Sequence, residues 1–459
     1  MNKIKAIGLL LVLTLAAAAS VYATGSKDSG SAPKLKEIVV WTNDGHNRSD
    51  YEAAVAAFNA PDGPGPKAGI LLTYTVMGGD YWNAIDLATQ AGELPYIYKT
   101  NQRLPQHVQA GIVLPYEELP GYAGKINRYK SYQLEGVTVF DGKTYALDVM
   151  GTAYSSMAYN KELLARAGFS APPKTWAEFE QVVLAESKLN PGKTFGMAIP
   201  LKYANVHENF IERVVAPSVG KYWWDYTSGK FAFSEYTEFF DMINRISKGG
   251  GMYPGLETLD DDTFRAQFAE GNIGFMLCSP SYNVGVLYDQ FPAKIDWGVA
   301  PIPVKESAAS YNASTGGASY YSINVKARKD GVLQEVQTVL DYLTNDDLIA
   351  DMFTTGKNVP LLADIIAKAA PSPRQQWNDV AKLNEGAVIR PLRAEYSVTV
   401  EGDTIYTAFS KIILGAAAPG PALQDLDRRY NAAFEQAVSR GTIKREKFID
   451  PNVEKLFRK

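Results

Sequence analysis

The chain has 459 residues, of which 46% are hydrophobic and 21% charged, and its formal net charge is −4. A chain of this length exceeds what one hydrophobic core usually supports, so we expect two domains or lobes. The composition is typical of a globular protein rather than a disordered one. Acidic and basic residues are mixed along the chain, which speaks against nucleic acid as a partner, because phosphate binding requires a concentrated basic surface.

The N-terminus has the pattern of a secretory signal peptide. Lys3 and Lys5 precede an uncharged apolar run over 6–19, and Val21-Tyr22-Ala23 offers the small residues that a signal peptidase reads. We therefore predict a signal peptide over 1–23, cleaved near Ala23, and a periplasmic location. An uncleaved anchor fits less well, because the apolar run is short for a bilayer span of roughly 20 residues. A lipid anchor would need a cysteine at the cleavage site, where the sequence has none.

A Gly-, Ser-, Lys- and Pro-containing leader over 24–35 is expected to be flexible. Alternating strand and helix patterns then follow in order: a strand over 37–42, a helix through Tyr51 to Phe58, a strand over 70–76, a helix over 81–91 and a short strand over 95–99. Strands separated by helices pair in parallel, so the pattern predicts an α/β sheet.

Helical and strand signals continue through the rest of the chain. Thr175 and Glu178 form a capping box that opens an amphipathic helix, and Leu333 to Leu343 and Leu423 to Phe434 carry apolar stripes at helical spacing. The apolar run Ile273 to Cys278 is typical of a buried strand. No internal repeat and no Pro- or Gly-rich linker divides the chain, which suggests that it crosses between two lobes more than once.

Sequence motifs for catalysis or metal binding are not found. The chain has no HExxH, paired CxxC, GxSxG or GxGxxG motif, and its three histidines are too far apart for a local metal site. Asp260-Asp261-Asp262 is better explained as a helix N-cap than as a calcium loop, and the single Cys278 as a small buried hydrophobic residue. No cofactor, metal or catalytic residue is expected, although paired carboxylates for sugar hydrolysis stay open.

One segment closely resembles a known family. Residues 141–182 contain Gly142-Lys143-Thr144-Tyr145, Tyr159-Asn160-Lys161, Ala167-Gly168 and the run Pro172 to Phe179. These match, in order, the central signature of the family 1 extracellular solute-binding proteins, the maltose-binding-protein-like receptors of carbohydrate ABC importers. Weaker matches in the same order extend the resemblance over nearly all of the mature chain.

The resemblance implies a periplasmic-binding-protein-like fold: two α/β lobes joined by hinge crossings, with a ligand cleft between them. On this basis we place the first lobe at 36–147 plus 304–356 and the second at 148–303 plus 357–459. Such a discontinuous arrangement is consistent with the missing linker.

A sugar site needs polar side chains for hydroxyl groups and aromatic rings for the apolar sugar faces. By family position and by their place after predicted strands, ten residues are expected to bind ligand: Asn43, Asp44, His46, Asn101, Gln102, Tyr154, Tyr203, Tyr282, Arg393 and Tyr396. Several of them have a simpler alternative. Asn43 to Gly45 could be only a turn, Tyr154 and Tyr282 could be plain packing, and Arg393 could pair with Glu395 or Glu401.

The function implied by the resemblance is that of a non-enzymatic, monomeric receptor. It binds a carbohydrate, expected to be an oligosaccharide, and delivers it to the transmembrane subunits of an ABC permease. Three alternatives stay open: a sensory receptor with the same fold, a non-sugar ligand such as a polyamine or a sugar phosphate, and an exported glycoside hydrolase. Clustered acids or arginines in the cleft would favour the second alternative.

Overall fold

The structure is a computed structural model that describes residues 35–450, apart from 79, 155, 204, 307–313, 318–320, 384–387 and 390–392. The predicted signal peptide over 1–23 lies outside the described residues, as does nearly all of the leader over 24–35. Within the described ranges, no helix is both long and apolar enough to cross a bilayer.

Seventeen strands are assigned in the described ranges. In chain order they are β1 Lys36–Thr42, β2 Ile70–Val76, β3 Ile97–Lys99, β4 Val113–Leu114, β5 Val139–Phe140, β6 Lys143–Thr144, β7 Met150–Ala153, β8 Ser156–Asn160, β9 Phe195–Met197, β10 Trp224–Asp225, β11 Lys230–Phe231, β12 Ile273–Met276, β13 Trp297–Pro301, β14 Ser314–Gly317, β15 Tyr321–Asn324, β16 Val359–Pro360 and β17 Val388–Ile389.

The α-helices of the described ranges are α1 Arg48–Asn59, α2 Pro64–Lys67, α3 Tyr81–Ala91, α4 Leu104–Gln109, α5 Ala123–Arg128, α6 Lys161–Arg166, α7 Trp176–Leu189, α8 Arg213–Val219, α9 Thr237–Lys248, α10 Asp261–Ala269, α11 Asn283–Asp289, α12 Lys326–Lys329, α13 Leu333–Leu343, α14 Asp346–Thr354, α15 Ala363–Lys368, α16 Gln375–Leu383, α17 Ile405–Ile413 and α18 Pro419–Ser439. A π-helical segment, His207–Glu212, leads directly into α8.

The first lobe is built on a five-stranded sheet in the order β2-β1-β3-β15-β4. Val40 of β1 pairs in parallel with Tyr74 of β2 and with Ile97 of β3, as the alternating strand and helix pattern predicts. The late strand β15 joins this sheet in the antiparallel sense. Apolar side chains of β1 to β3 and of α13 form the core on this sheet.

The second lobe is built on a four-stranded sheet in the order β13-β8-β12-β9. Helix α7 packs on this sheet and begins at the predicted capping box, in which Thr175 accepts a hydrogen bond from the Glu178 backbone and Glu178 accepts one in return. The C-terminal helices α17 and α18 add Phe409 and Leu426 to the same core. Cys278, just after β12, is fully buried there, in agreement with the sequence-based interpretation.

A third sheet, in the order β16-β7-β14-β17, lies where the chain passes between the lobes. Strand β7 leads from the first lobe to the second, and β14 leads back to β15. The predicted lobe boundaries stay a prediction, and one helix packs differently from that assignment. Ile365 of α15 belongs to the core of the first lobe, although 357–459 was assigned to the second, because β16 pairs with β7 and returns the chain to that side.

Candidate functional site

A cavity of about 1050 Å³ lies between the lobes. The first-lobe wall comes from the loop after β1, the start of α3 and the end of β3. The second-lobe wall comes from the segments after β7 and β12, from Lys202, Tyr203 and Asn205, and from the start of α10. The volume is at the upper end of the range for small-molecule sites, and the walls stand at strand ends, where α/β sheets commonly place ligands.

A buried ion pair organises the first-lobe wall. The carboxylate of Asp44, in the loop after β1, pairs with the ammonium of Lys99 at the end of β3, and both side chains are almost fully buried. The same ammonium lies 5.2 Å from the ring centroid of Tyr321. Because β1 and β3 are parallel neighbours, their C-terminal ends lie side by side, and this brings the two charges together. The two charges therefore compensate each other in the cavity wall.

His46 joins the two lobes across the cleft. Its ring stacks on that of Tyr282, with 4.7 Å between the centroids and 26° between the planes. Burial lowers the pKa of His46 to about 4, and the cations of Lys99 and Arg265 act in the same direction, whereas Asp44 opposes them. The imidazole is therefore neutral at pH 7.

Three tyrosines form the second-lobe wall: Tyr154, Tyr203 and Tyr282. Burial raises the pKa of each hydroxyl above its ordinary value. All three hydroxyls therefore stay protonated at neutral pH and are able to donate hydrogen bonds. Together the rings supply the mixture of apolar faces and polar edges that carbohydrate recognition requires.

The other charged residues of the cavity wall are paired as well. Arg265 contacts Asp261 at 2.6 Å and Asp262 at 2.9 Å. The remaining pairs are Lys202 with Asp260 at 4.0 Å, Arg48 with Glu52 at 3.7 Å, Lys357 with Asp50 at 2.5 Å, and Asp289 with Arg374 at 2.7 Å. Charge pairs of this kind turn the wall into a set of hydrogen-bonding groups with little net charge. Within the described ranges, no group of three His, Cys, Asp or Glu side chains could hold a metal ion.

The structure brings seven of the ten predicted binding residues to the cavity wall: Asn43, Asp44, His46, Asn101, Tyr154, Tyr203 and Tyr282. Asn101 has a positive φ of 42°, an unfavourable backbone conformation that is often found at functional sites. The side chain of Gln102 lies outside the described residues. The binding roles of all ten stay a prediction.

Arg393 and Tyr396 are not among the residues that line the cavity. The Arg393 guanidinium instead pairs with Glu208 at 2.6 Å and with Glu395 at 2.8 Å, and the Tyr396 hydroxyl also bonds to Glu208. The pairing with Glu395 is one of the two alternatives that the sequence left open. Both residues are thus bonded to Glu208, which is buried on the π-helical segment.

Sequence reasoning missed several wall residues, among them Lys99, Trp82 and Arg265. Lys99 was part of a predicted strand and could have been found, since strand ends point to the cleft. The guanidinium of Arg103 lies 4.4 Å from the ring centroid of Trp82, an arrangement for which the sequence carries no signal. Asp261 was explained only as part of a cap. The N-cap is Asp260, and Asp261 lines the cavity.

Two α/β lobes around a polar, aromatic cleft define a binding protein of the periplasmic type. A family comparison matches residues 53–381 to the family described as bacterial extracellular solute-binding protein. The chain belongs to this family, and the resemblance stated from the sequence is confirmed.

Relatives and solved structures agree with this assignment. A protein of Brucella abortus (strain 2308), described only as a binding protein, is 26% identical over 337 residues, covering 72% of this chain and 77% of the relative. The maltose/maltodextrin-binding domain MalE of Bdellovibrio bacteriovorus, bound to maltotriose, has a TM-score of 0.67 at 18% identity and covers 88% of this chain and 100% of its own. A solute-binding protein of Thermotoga lettingae bound with α-D-tagatose has a TM-score of 0.68 at 16% identity, covering 87% and 100%. At these identities the two structures show the fold alone.

Proposed function

We propose that this protein is an exported, non-enzymatic receptor that binds a carbohydrate reversibly between its lobes and delivers it to an ABC permease. The predicted signal peptide and a periplasmic location belong to this proposal. Membership of the extracellular solute-binding family supports it, and so does the fold shared with proteins solved in complex with maltotriose and with tagatose.

The observation that carries the carbohydrate assignment is the composition of the cleft wall. Three tyrosines and Trp82 offer aromatic faces, and Asn43, Asn101 and Asn205 offer amides. The charged side chains that line the cavity have partners of opposite sign. A strongly charged ligand would have to break these pairs. Neutral hydroxyl groups, by contrast, can accept hydrogen bonds from the cations and donate hydrogen bonds to the carboxylates while the pairs stay intact. A cavity of about 1050 Å³ has room for more than one sugar ring.

The Asp260-Asp261-Asp262 segment gives a cationic ligand some support, since all three carboxylates line the cavity. However, Asp261 and Asp262 pair with Arg265, and Asp260 accepts the backbone hydrogen bond of Thr263 as the N-cap. These contacts occupy the carboxylates, so we favour a neutral sugar over a polyamine.

Thermal unfolding of the mature chain, residues 24–459, tests the proposal against a panel of neutral sugars, acidic sugars, sugar phosphates and polyamines. A ligand that binds only the folded state stabilises it by mass action and so raises the melting temperature. At a ligand concentration of a hundred times Kd, the gain in the free energy of unfolding is about 2.7 kcal/mol. We expect a shift with a neutral mono- or oligosaccharide that chromatography then recovers intact. A shift with polyamines or sugar phosphates alone, or cleavage of the sugar, would overturn the proposal.

Paired variants locate the site. Tyr154→Ala removes a ring from the cleft wall and should abolish or strongly reduce the sugar-induced shift. Tyr96→Ala is the matched control, because Tyr96 lies outside the cavity lining and bonds to Asp330 at 2.8 Å; it should keep the full shift.

A further inference from the structure

Two of the wall tyrosines are unusually well placed to meet a ligand. Tyr154 follows β7 and Tyr282 follows β12, and both line the cavity. Within the described part of the chain, neither hydroxyl has a hydrogen-bond partner. A tyrosine without such an anchor has freedom in both side-chain torsions, and fixing it on binding opposes affinity. Something other than the hydroxyl has to fix these rings.

An arginine lies against the ring of Tyr154. The Cζ atom of Arg213 is 3.5 Å from the ring centroid, which is van der Waals contact between a guanidinium and an aromatic ring. The Nε atom of Arg213 donates a hydrogen bond of 3.2 Å to Oδ1 of Asn209, one turn earlier. The amide of Asn209 in turn donates to the Tyr203 hydroxyl at 3.0 Å. Asn209 of the π-helical segment and Arg213, the first residue of α8, thus link two wall tyrosines.

A related but looser arrangement occurs at Tyr282, whose ring also stacks on His46, and it involves unrelated elements. The Cζ atom of Arg265, on α10, lies 5.6 Å from the ring centroid of Tyr282. Its Nε atom donates a hydrogen bond of 3.0 Å to Oδ1 of Asn283, the first residue of α11. Arg265 is held further by its ion pairs with Asp261 and Asp262. In both places a buried asparagine accepts a hydrogen bond from Nε of a buried arginine, and the guanidinium lies within cation–π range of a cavity tyrosine.

We propose that Arg213 and Arg265 are positioning residues, each held by its asparagine so that the ring of Tyr154 or Tyr282 is fixed in one orientation for a sugar. The proposal deepens the carbohydrate assignment and rests on it. The choice of arginine has a physical reason: its guanidinium is planar and stacks on a ring while Nε still donates, which lysine cannot reproduce. Rings that are already fixed lose less entropy when the ligand binds. The two arginine–asparagine pairs therefore raise affinity without contacting the ligand themselves.

A crossed labelling experiment tests the positioning without any ligand. 3-Fluorotyrosine is incorporated at position 154 in one sample and at position 282 in another, and ¹⁹F spectra of the ligand-free protein are recorded. Arg213→Lys should shift or broaden the line from position 154 and leave that from position 282 unchanged. Arg265→Lys should do the reverse. Arg245→Lys is the matched control, because Arg245 pairs with Glu180 on the exposed surface of the same lobe.

Sugar-binding measurements test the expected gain in affinity. Maltotriose is the probe, and if it does not bind, the sugar from the panel with the largest shift takes its place. Each arginine variant should weaken binding about threefold to tenfold, because lysine keeps the charge but loses the planar guanidinium that faces the ring. In a Tyr154→Leu background, Arg213→Lys should have no further effect, because the ring on which it acts is gone. A role in general stability would give the same loss with and without the ring.

The outcomes separate the two proposals. Unchanged ¹⁹F lines in both arginine variants would overturn the positioning role, whatever the sugar data show. The crossed ¹⁹F pattern combined with a protein that binds no sugar would uphold the fixed rings and overturn the carbohydrate assignment. A third outcome is the crossed ¹⁹F pattern together with a further loss of sugar affinity when Arg213→Lys is added to Tyr154→Leu. That result would show that fixing the ring does not serve ligand binding.

Discussion

At the scale of single residues, the ion pair between Asp44 and Lys99 places two opposite charges in the buried wall of the cleft. A buried charge that loses its partner is strongly destabilising, whereas removal of both charges is often nearly neutral. This asymmetry gives the pair a clear experimental signature.

We expect Lys99→Met to lower the free energy of unfolding by about 3–5 kcal/mol, because it leaves the Asp44 carboxylate buried without its cation. The double variant Asp44→Asn/Lys99→Met should recover most of this loss. Urea unfolding monitored by circular dichroism measures both. Equal destabilisation in the single and double variants would contradict the prediction and show that Lys99 acts through other contacts.

Some cleft residues could be predicted from the sequence, whereas the residues with which they pair could not. Asn43, Asp44 and Asn101 could be predicted because they follow strands whose ends must face the cleft. Their partners could not, since which cation meets Asp44 depends on the register between β1 and β3. The expectation that Arg393 faces the ligand rested on chain position alone, and position does not reveal that Glu208 of the π-helical segment lies close enough to pair with it.

At the scale of elements, helix α7 and strand β12 enclose a carboxyl group in the core of the second lobe. Glu186 is fully buried, and neither carboxyl oxygen has a hydrogen-bond partner among the described residues. A Cβ atom at position 274 would lie 1.7 Å from Oε2, so only a glycine on β12 leaves room for the side chain. Burial raises the pKa of Glu186 to about 9, and the group is therefore neutral at pH 7.

Glu186 makes stability depend on pH with a defined sign. Its folded-state pKa lies above its unfolded value of 4.5, so the folded state holds a proton that the unfolded state releases, and stability falls as pH rises between these values. From pH 5.5 to 7.5 the loss is on the order of 3 kcal/mol. Glu186→Gln should remove this slope, which urea unfolding at the two pH values measures. Parallel pH dependence in wild type and variant would rule the prediction out.

Element boundaries were predicted well where caps and breakers define them. The capping box at Thr175 and the predicted limits of β2 and α3 agree with the structure. The π-helical segment could not be predicted, because nothing in the amino-acid sequence of His207–Glu212 distinguishes it from an ordinary α-helix. The packing of α15 on the first lobe depends on the pairing of β16 with β7, which is a tertiary contact.

At the scale of the whole molecule, the stack of His46 on Tyr282 joins the lobes through a titratable group. The pKa of His46 is about 4 in this arrangement, against 6.5 for an exposed imidazole. Below pH 6.5 the unfolded chain binds a proton that the folded protein does not, so stability is lost as pH falls from 6.5 towards 4.

We expect the free energy of unfolding to drop between pH 7.5 and 5.0 by on the order of 2 kcal/mol more in wild type than in His46→Gln. Other groups titrate over this range, and comparison of the two proteins at each pH cancels their contribution. Thermal or urea unfolding of both proteins measures the difference. If His46→Gln lost as much stability as wild type between pH 7.5 and 5.0, the conclusion that the buried imidazole is neutral would be wrong.

The burial of Cys278 has a practical consequence for observing lobe motion. The chain has one cysteine, and burial raises the pKa of its thiol to about 12, so a thiol-reactive dye has almost no thiolate to attack at neutral pH. A second cysteine introduced at the rim of the cleft, for instance by Glu52→Cys, would therefore take the dye alone. The native protein can thus become a fluorescent reporter of its own ligand without first removing a residue from its core.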